Sequence, residues 1–467
     1  MNKDAQFKMR TLITITMASF LTPFMGSAMN LAIPSIGAQY NASALQLSWV
    51  LTSYILASAA FLVPFGRLAD IVGRKKVFIT GVASFSLTSL LCGLAPSVET
   101  LIFFRVLQGV GSAMVFGTAM AILTSVFPPQ ERGKVLGINV ATVYTGLSLG
   151  PVLGGTMTHN LGWQSIFYSC VLISLAVVIM SLIYLKGEWV GAQGESYDLT
   201  GAVLYSVGLV AFMYGVSSIT TSSWSAYCIV AGLAILAVFI RYEMKTAFPV
   251  LNLKLFSGNV TFTFSNLAAL INYSATFAVT FLLSLYLQIV LGHNSQQAGL
   301  ILLAQPIIMA VLSPFAGRLS DRVQPRIVAS WGMALSTLGL FVFAFLTAQT
   351  PIWVILLNLA LLGTGFALFS SPNSNAVMGS VDKRNYGIAS STLGTMRLVG
   401  QALSMTIATL IIAMFIGNVE FNQADVVLLT RSIRTAFIVF GFTCLAGIFA
   451  SLARGNVNNE NTKPSRT

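Results

Sequence analysis

Side chains able to do acid–base or charge chemistry are scarce in this chain. Of 467 residues only 8% are charged. The carboxylates are Asp4, Asp70, Glu99, Glu131, Glu188, Glu195, Asp198, Glu243, Asp321, Asp382, Glu420, Asp425 and Glu460. The two histidines, His159 and His293, stand apart from one another and from any acid cluster, so no grouping has the form of a metal centre or of a nucleophile with its base. A GxxxxGK[ST] phosphate cradle is absent as well. These absences argue against an enzyme and against an ATP-driven pump. Two arginines, Arg105 and Arg397, fall inside long apolar runs. A cation at such depth is costly and marks a functional position by default. Its chemistry would be that of a planar fork meeting a carboxylate or a phosphate. The plainer alternative is that both bond to carbonyls and amide side chains and steady their helices. Gln401 lies one turn along from Arg397 on the same face. No acid falls deep in an apolar run, so the sequence offers buried cations and no buried anion. That pattern favours an anionic or neutral solute over a lipophilic cation.

A second charged constellation is Gly66 to Lys76, GRLADIVGRKK. It reads as a polar loop at a membrane surface, because charges and unpaired backbone groups are expensive in hydrocarbon. Gly66 and Gly73 permit tight turns. Asp70 can accept from a helix N-terminus or pair with a nearby arginine such as Arg67 or Arg74, with Lys75 beside it. Such a contact would hold one side shut and break on movement; the bland reading is a solvated basic loop that only sets topology. The stretch SPFAGRLSD echoes it with Gly317, Arg318 and Asp321. Gly146, Gly150 and Gly154 are four apart and form one smooth stripe, extended by Gly155, with Pro151 bending the helix. Asn30, Asn266, Tyr273 and Asn358 are polar positions that would line a cavity or simply cross-link helices; Asn266 and Tyr273, seven apart, share a face.

These residues must be positioned by membrane helices. The chain is 56% hydrophobic with mean hydropathy +0.83, and apolar runs of membrane-crossing length recur throughout. The runs predict fourteen spans: 11–33, 46–65, 77–95, 100–124, 135–157, 164–185, 199–219, 226–242, 259–286, 297–316, 327–347, 352–372, 387–416 and 433–453. On this reading 21 of the 25 basic residues fall on the side of the termini, which makes both termini cytoplasmic. The net charge of +12 is therefore a topology signal and predicts no nucleic-acid partner. The four cysteines, Cys92, Cys170, Cys228 and Cys444, sit in separate runs and read as packing residues. The Gly-Arg-Leu pairs at 66 and 317 are 251 residues apart, and the Gly-Ile pairs at 137 and 387 are 250 apart. Two motifs at nearly one offset predict two parallel six-helix halves, 1–186 and 257–453. An inserted helix pair at 187–256 separates them, and a disordered cytoplasmic tail at 454–467 follows.

The motifs, in order and on matching spans, resemble those of the major facilitator superfamily, and within it the fourteen-span drug:proton antiporter family. Gly66–Lys76 is similar to the loop after span 2, Leu101–Ala113 with Arg105 and Gly109 to the span-4 motif, and Gly146–Gly155 to the exporters' span-5 motif. Trp163 and Phe167 match the start of span 6, and Asn30 and Pro34 the end of span 1. The resemblance implies an all-α membrane protein of the major facilitator fold. It implies a secondary active exporter of drugs or metabolites, working by alternating access in a prokaryotic cytoplasmic membrane. A monomer is expected, without cofactor or metal, whose partners are a small-molecule substrate, the lipid bilayer and, as candidate coupling ion, the proton. The chain departs from the family at Met25, where an aspartate is common. That departure keeps open an uncoupled or differently coupled exporter, or a flippase, of an anionic or neutral amphiphile. A channel would need a continuous polar stripe or a charged ring, and neither is present.

Overall fold

The computed structural model describes residues 3–218, 223–251, 256, 258–381, 386–417 and 425–455. Its regular elements are helices: α1 Lys3–Tyr40, α2 Ala44–Val72, α3 Arg74–Gly93, α4 Val98–Val126, α5 Pro129–Leu161, α6 Gln164–Tyr184, α7 Leu199–Ser217, α8 Ser225–Glu243, α9 Val260–Thr276, α10 Val279–Leu285 with a π-helical turn Tyr286–Val290, α11 Ser295–Leu302, α12 Ala304–Arg322, α13 Pro325–Phe343, α14 Ile352–Gly379, α15 Tyr386–Ile416 and α16 Val426–Leu452. Among the described residues thirteen helical segments are long and apolar enough to cross a membrane. The 33-residue α5 is not one of the thirteen.

Helix partners follow one scheme twice. In the first part α1 lies against α5 and α6, α2 against α4, and α3 against α4 and α6. Later α9 lies against α15 and α16, α12 against α14, and α13 against α14 and α16. Glycines make the closest of these contacts possible. A Cβ on Gly150 would sit 2.6 Å from Ser27 Cβ in α1, and one on Gly400 would sit 2.6 Å from the Leu270 carbonyl in α9. The close neighbours of Gly146, Gly150 and Gly154 are Phe20, Ser27 and Ala28 in ascending order, so α5 runs parallel to α1.

Three prolines inside helices share a device. A proline has no N–H, so the carbonyl four residues earlier loses its helical donor. Pro34 strands Asn30 O, which accepts from Ser284 Oγ at 2.8 Å. Pro64 strands Ala60 O, which accepts from Ser206 Oγ at 2.8 Å. Pro151 strands Leu147 O, which accepts from Ser27 Oγ at 3.0 Å. In each case a serine on another helix fills the vacancy, so each kink is also a helix-to-helix joint.

One expectation needs correction. Gly66–Lys76 is not a loop. α2 continues to Val72, and only Gly73, at φ 122°, interrupts the helical path before α3. Arg67 and Asp70 thus project from a helix end, fixed by its geometry. Likewise Gly317, Arg318 and Asp321 lie within α12. The span expected at 259–286 is met by the apolar segment Val260–Val290, which is interrupted after Thr276 and widens into the π-turn at Tyr286.

Candidate functional site

Arg105 is fully buried in α4. Its Nε donates to Val50 O of α2 at 2.9 Å, and its Nη1 donates to Gln108 Oε1. Gln108 Nε2 in turn donates to Ser89 Oγ of α3 at 2.7 Å. The guanidinium lies 4.2 Å from the Tyr54 ring centroid and 5.9 Å from that of Phe167. A cation this deep is tolerable because carbonyl, amide and π-faces replace its water. Nε and Nη1 thus tie α4 to α2 and to Gln108 under aromatic cover.

Arg397 differs. It is half-buried in α15, and among the described residues its guanidinium meets no carboxylate; it lies 5.3 Å from the Tyr273 ring centroid. The structure thus brings together two candidates that the sequence placed on separate helices. Tyr273 packs edge-on to Phe366 with centroids 5.5 Å apart, and Gln401 is buried one turn beyond Arg397. The other polar candidates turn inward. Asn266 Nδ2 bonds back to Phe262 O at 2.9 Å, Asn358 Nδ2 to Gly339 O at 2.8 Å, and Asn30 Nδ2 to Gly26 O at 3.2 Å. These three cross-link or cap their own neighbourhood.

At the junction of α2 and α3, Arg74 Nε donates to Asp70 Oδ1 at 2.8 Å, and Arg74 Nη1 reaches Ser125 Oγ of α4 at 2.7 Å. This charged end of the bundle also holds the ion pair of Lys8 with Glu131 at 3.5 Å. The connector from α6 to α7 folds back across it. Asp70 O accepts from the N–H groups of Gly191 and Ala192 at 2.9 Å, and Trp189 O accepts from Arg74 N at 3.0 Å. Glu188 Oε1 caps the start of α3 at Lys75 N (2.7 Å), and Glu195 pairs with Arg67. Gly73 and Gly191 leave room for these groups; a Cβ on Gly73 would meet Glu188 Cδ at 2.5 Å. The basic cluster is therefore strapped by residues 188–195, a contact with no motif in the sequence. Gly317 and Arg318 lie at the end of α12, where Arg318 contacts the Phe315 ring at 5.9 Å. The Asp321 side chain lies outside the described residues, as do residues 456–467 of the tail.

The opposite end is closed by the α1–α10 and α5–α11 contacts. Ser284 donates to Asn30 O, Gln288 Nε2 approaches Leu31 O at 3.5 Å, and Ser295 Oγ donates to Gly155 O at 3.2 Å. Gly155 thus faces α11 while Gly146, Gly150 and Gly154 face α1; Pro151 stands where Gly299 of α11 approaches its carbonyl. The expected absence of a buried carboxylate is overturned: Glu243 is 2% exposed and Asp198 9% exposed. The signal that could have found Asp198 is its place directly before an apolar run, the pattern of an N-cap. Glu243 gives no such signal, because the chain that covers it, residues 246–251, reads as an ordinary linker.

A model of the Major Facilitator Superfamily matches residues 15–256 and 266–467. The chain belongs to that superfamily. It is a multi-pass membrane transport protein and not an enzyme. It is 30% identical over 412 residues to the riboflavin transporter RibZ of Clostridioides difficile, covering 88% of this chain and 89% of that one. It is 33% identical over 405 residues to the cephamycin export protein CmcT of Amycolatopsis lactamdurans, covering 85% and 83%. The fold is similar to a bacterial homolog of the human lysosomal transporter Spinster, crystallised inward-facing and unoccupied. That likeness has a TM-score of 0.70 at 16% identity and covers 97% of this chain and 98% of that one.

Proposed function

We propose that this chain is a secondary active exporter of small anionic or neutral aromatic solutes, drugs or metabolites, across a prokaryotic cytoplasmic membrane. The observation that carries the reading is the contrast between the two arginines. Arg105 has its hydrogen bonds inside the protein, whereas Arg397 lies against the Tyr273 ring, which itself packs on Phe366. A cation beside an aromatic face suits a flat solute bearing a carboxylate or a carbonyl. Counting α5, the chain crosses the membrane fourteen times, with both termini and the strapped basic end in the cytoplasm. The α1–α6 half rocks against the α9–α16 half, and α7 and α8 are the inserted pair. The recurrent helix pairing supports this division. Outward direction is supported by the glycine stripe of α5 and by the relative named as an export protein. The protein works as a monomer, and the proton gradient is the driving force.

The test is solute movement into everted vesicles, with a flavin, an anionic dye and a lipophilic cationic dye compared with and without a protonophore. Uptake of the flavin or anionic dye that collapses with the gradient, and falls at least tenfold in Arg397→Ala, is expected. Uptake of the cationic dye alone would overturn the substrate class, and uptake indifferent to the protonophore would overturn the coupling.

A further inference from the structure

At the foot of the inserted helix pair two acids lie together where the sequence promised none. Asp198 is the N-cap of α7: its Oδ1 accepts from Gly201 N at 2.8 Å and from the Tyr242 hydroxyl at 3.2 Å. Glu243 is the last residue of α8, and its Oε1 accepts from Val250 N at 3.2 Å. The remaining oxygens, Asp198 Oδ2 and Glu243 Oε2, are buried and have no partner among the described residues. A Cβ on Gly201 would collide with both Asp198 Oδ2 and Glu243 Oε1, so these oxygens lie within about 5 Å of each other, inside the range at which like charges suppress ionisation.

We propose that Asp198 and Glu243 form a proton-binding site in which the two carboxylates hold one proton between them. Two adjacent buried anions with bare oxygens are far costlier than one anion and one neutral acid. A single proton removes one charge and turns an orphan acceptor into a donor toward the other carboxylate. Such a pair titrates as a unit.

The groups facing it are few. From α2 comes Arg67, the cation that acts on Glu243, although its guanidinium is engaged by Glu195 and its Nε is buried without a partner. From the connector come Glu195 and Tyr197; from α8, Tyr242. Arg241 and Lys245 are exposed. A cavity of about 290 Å³ lined by Tyr197, Asp198, Tyr242, Thr246 and Phe248 lies against the site and gives the proton a way to water. When the proton leaves, the pair gains a second negative charge and competes with Glu195 for Arg67. Arg67 sits one turn before Asp70 on the strapped end of α2, so deprotonation loosens the strap over the basic cluster. The site therefore reads proton activity at that end of the bundle, whatever solute is carried and in whichever direction.

The test uses the full-length protein in lipid nanodiscs, without any transport assay. Infrared spectra of the wild type are expected to show a protonated buried carboxyl at neutral pH. Its carbonyl band should vanish as the pH is raised further, above the ordinary carboxylate range. Glu243→Gln, which mimics the neutral acid, and Asp198→Asn, which keeps the N-cap, should each abolish the band. The folded wild type holds a proton that the unfolded chain releases. Its melting temperature should therefore fall as pH rises from the ordinary carboxylate range through that window. In Glu243→Gln the slope should be lost. A wild type with no protonated carboxyl at neutral pH overturns the proposal, and so does a band that survives both variants or an unchanged melting slope in Glu243→Gln.

Discussion

The proline-vacated carbonyls offer the sharpest test of how this bundle is held. Ser284→Ala removes the hydroxyl that donates to Asn30 O and accepts from Gln288 Nε2. Asn30 is 5% exposed, so water cannot readily take the vacancy. Leaving one buried carbonyl unpaired costs about 1–3 kcal/mol, and the loss of the glutamine contact adds up to about 1 kcal/mol more. Because the total for Ser284→Ala mixes these two losses, the decisive quantity is its dependence on Pro34. In Pro34→Ala the residue regains an N–H, and the helix supplies Asn30 O with its ordinary donor. The serine is then redundant for that carbonyl. The double-mutant cycle should therefore give a coupling energy of about 1–2 kcal/mol, well above the roughly 0.3–0.5 kcal/mol scatter of independent sites. Denaturation in mixed micelles measures all four corners. Additivity of the two substitutions would show that Ser284 does not act through the proline vacancy. Because this joint ties α1 to α10, the same variants also bear on the closed end: Ser284→Ala should raise the labelling rate of a cysteine introduced at Leu31, and Pro34→Ala should bring it back.

Two further substitutions probe the helix contacts. Gly154→Ala places a methyl 2.6 Å from Ala28 Cβ and 2.9 Å from Ala28 O, so α1 and α5 must move apart, at an overpacking cost of about 1–3 kcal/mol. The control Gly26→Ala meets nothing within 4 Å and should be neutral or slightly stabilising in the same melting assay; equal melting temperatures would remove the stripe's packing role. Arg105→Lys keeps the charge but cannot reach Val50 O and Gln108 Oε1 with one planar fork. It should lose about 2–3 kcal/mol of stability while leaving the apparent KM for transported solute unchanged; a raised KM at wild-type stability would return Arg105 to the solute path.

How far this architecture can be read from the sequence depends on which interactions are local. The helical, membrane-spanning character and the repeated glycine and Gly-Arg-Leu motifs are local and periodic, and the structure meets them as helices with recurring partners. The extension of α2 through Asp70 is hidden if charge is equated with loop. A helix that emerges from the bilayer keeps its own hydrogen bonds, so charged side chains at its end break nothing. Arg105 stands out in the sequence, but its partner Val50 O is a backbone atom on another helix that no sequence pattern reveals, and Ser89, which holds its neighbour Gln108, lies on a third helix. The acids escape for the same reason. Depth in an apolar run is only one route to burial, and Asp198 and Glu243 are buried at a helix foot by a connector folding over them.

That connector changes how the basic cluster works. In a loop, Asp70 and its neighbours would act on whatever moved past them. Here Asp70 sits in a rigid frame: its side chain is held by Arg74, and its carbonyl is held by the backbone of Gly191 and Ala192. Arg67 is held by Glu195. The same strap runs on into Tyr197, whose hydroxyl bonds to Pro64 O, and into α7, whose Tyr205 and Ser206 bond to Ala59 O and Ala60 O around the Pro64 kink. A displacement of the inserted pair must therefore pull on α2 at its one weakened turn and at its charged end together. Helix α7 is attached at the point where α2 is able to bend, and α8 packs on α7, so the pair is braced against the kinked helix and its charged end together.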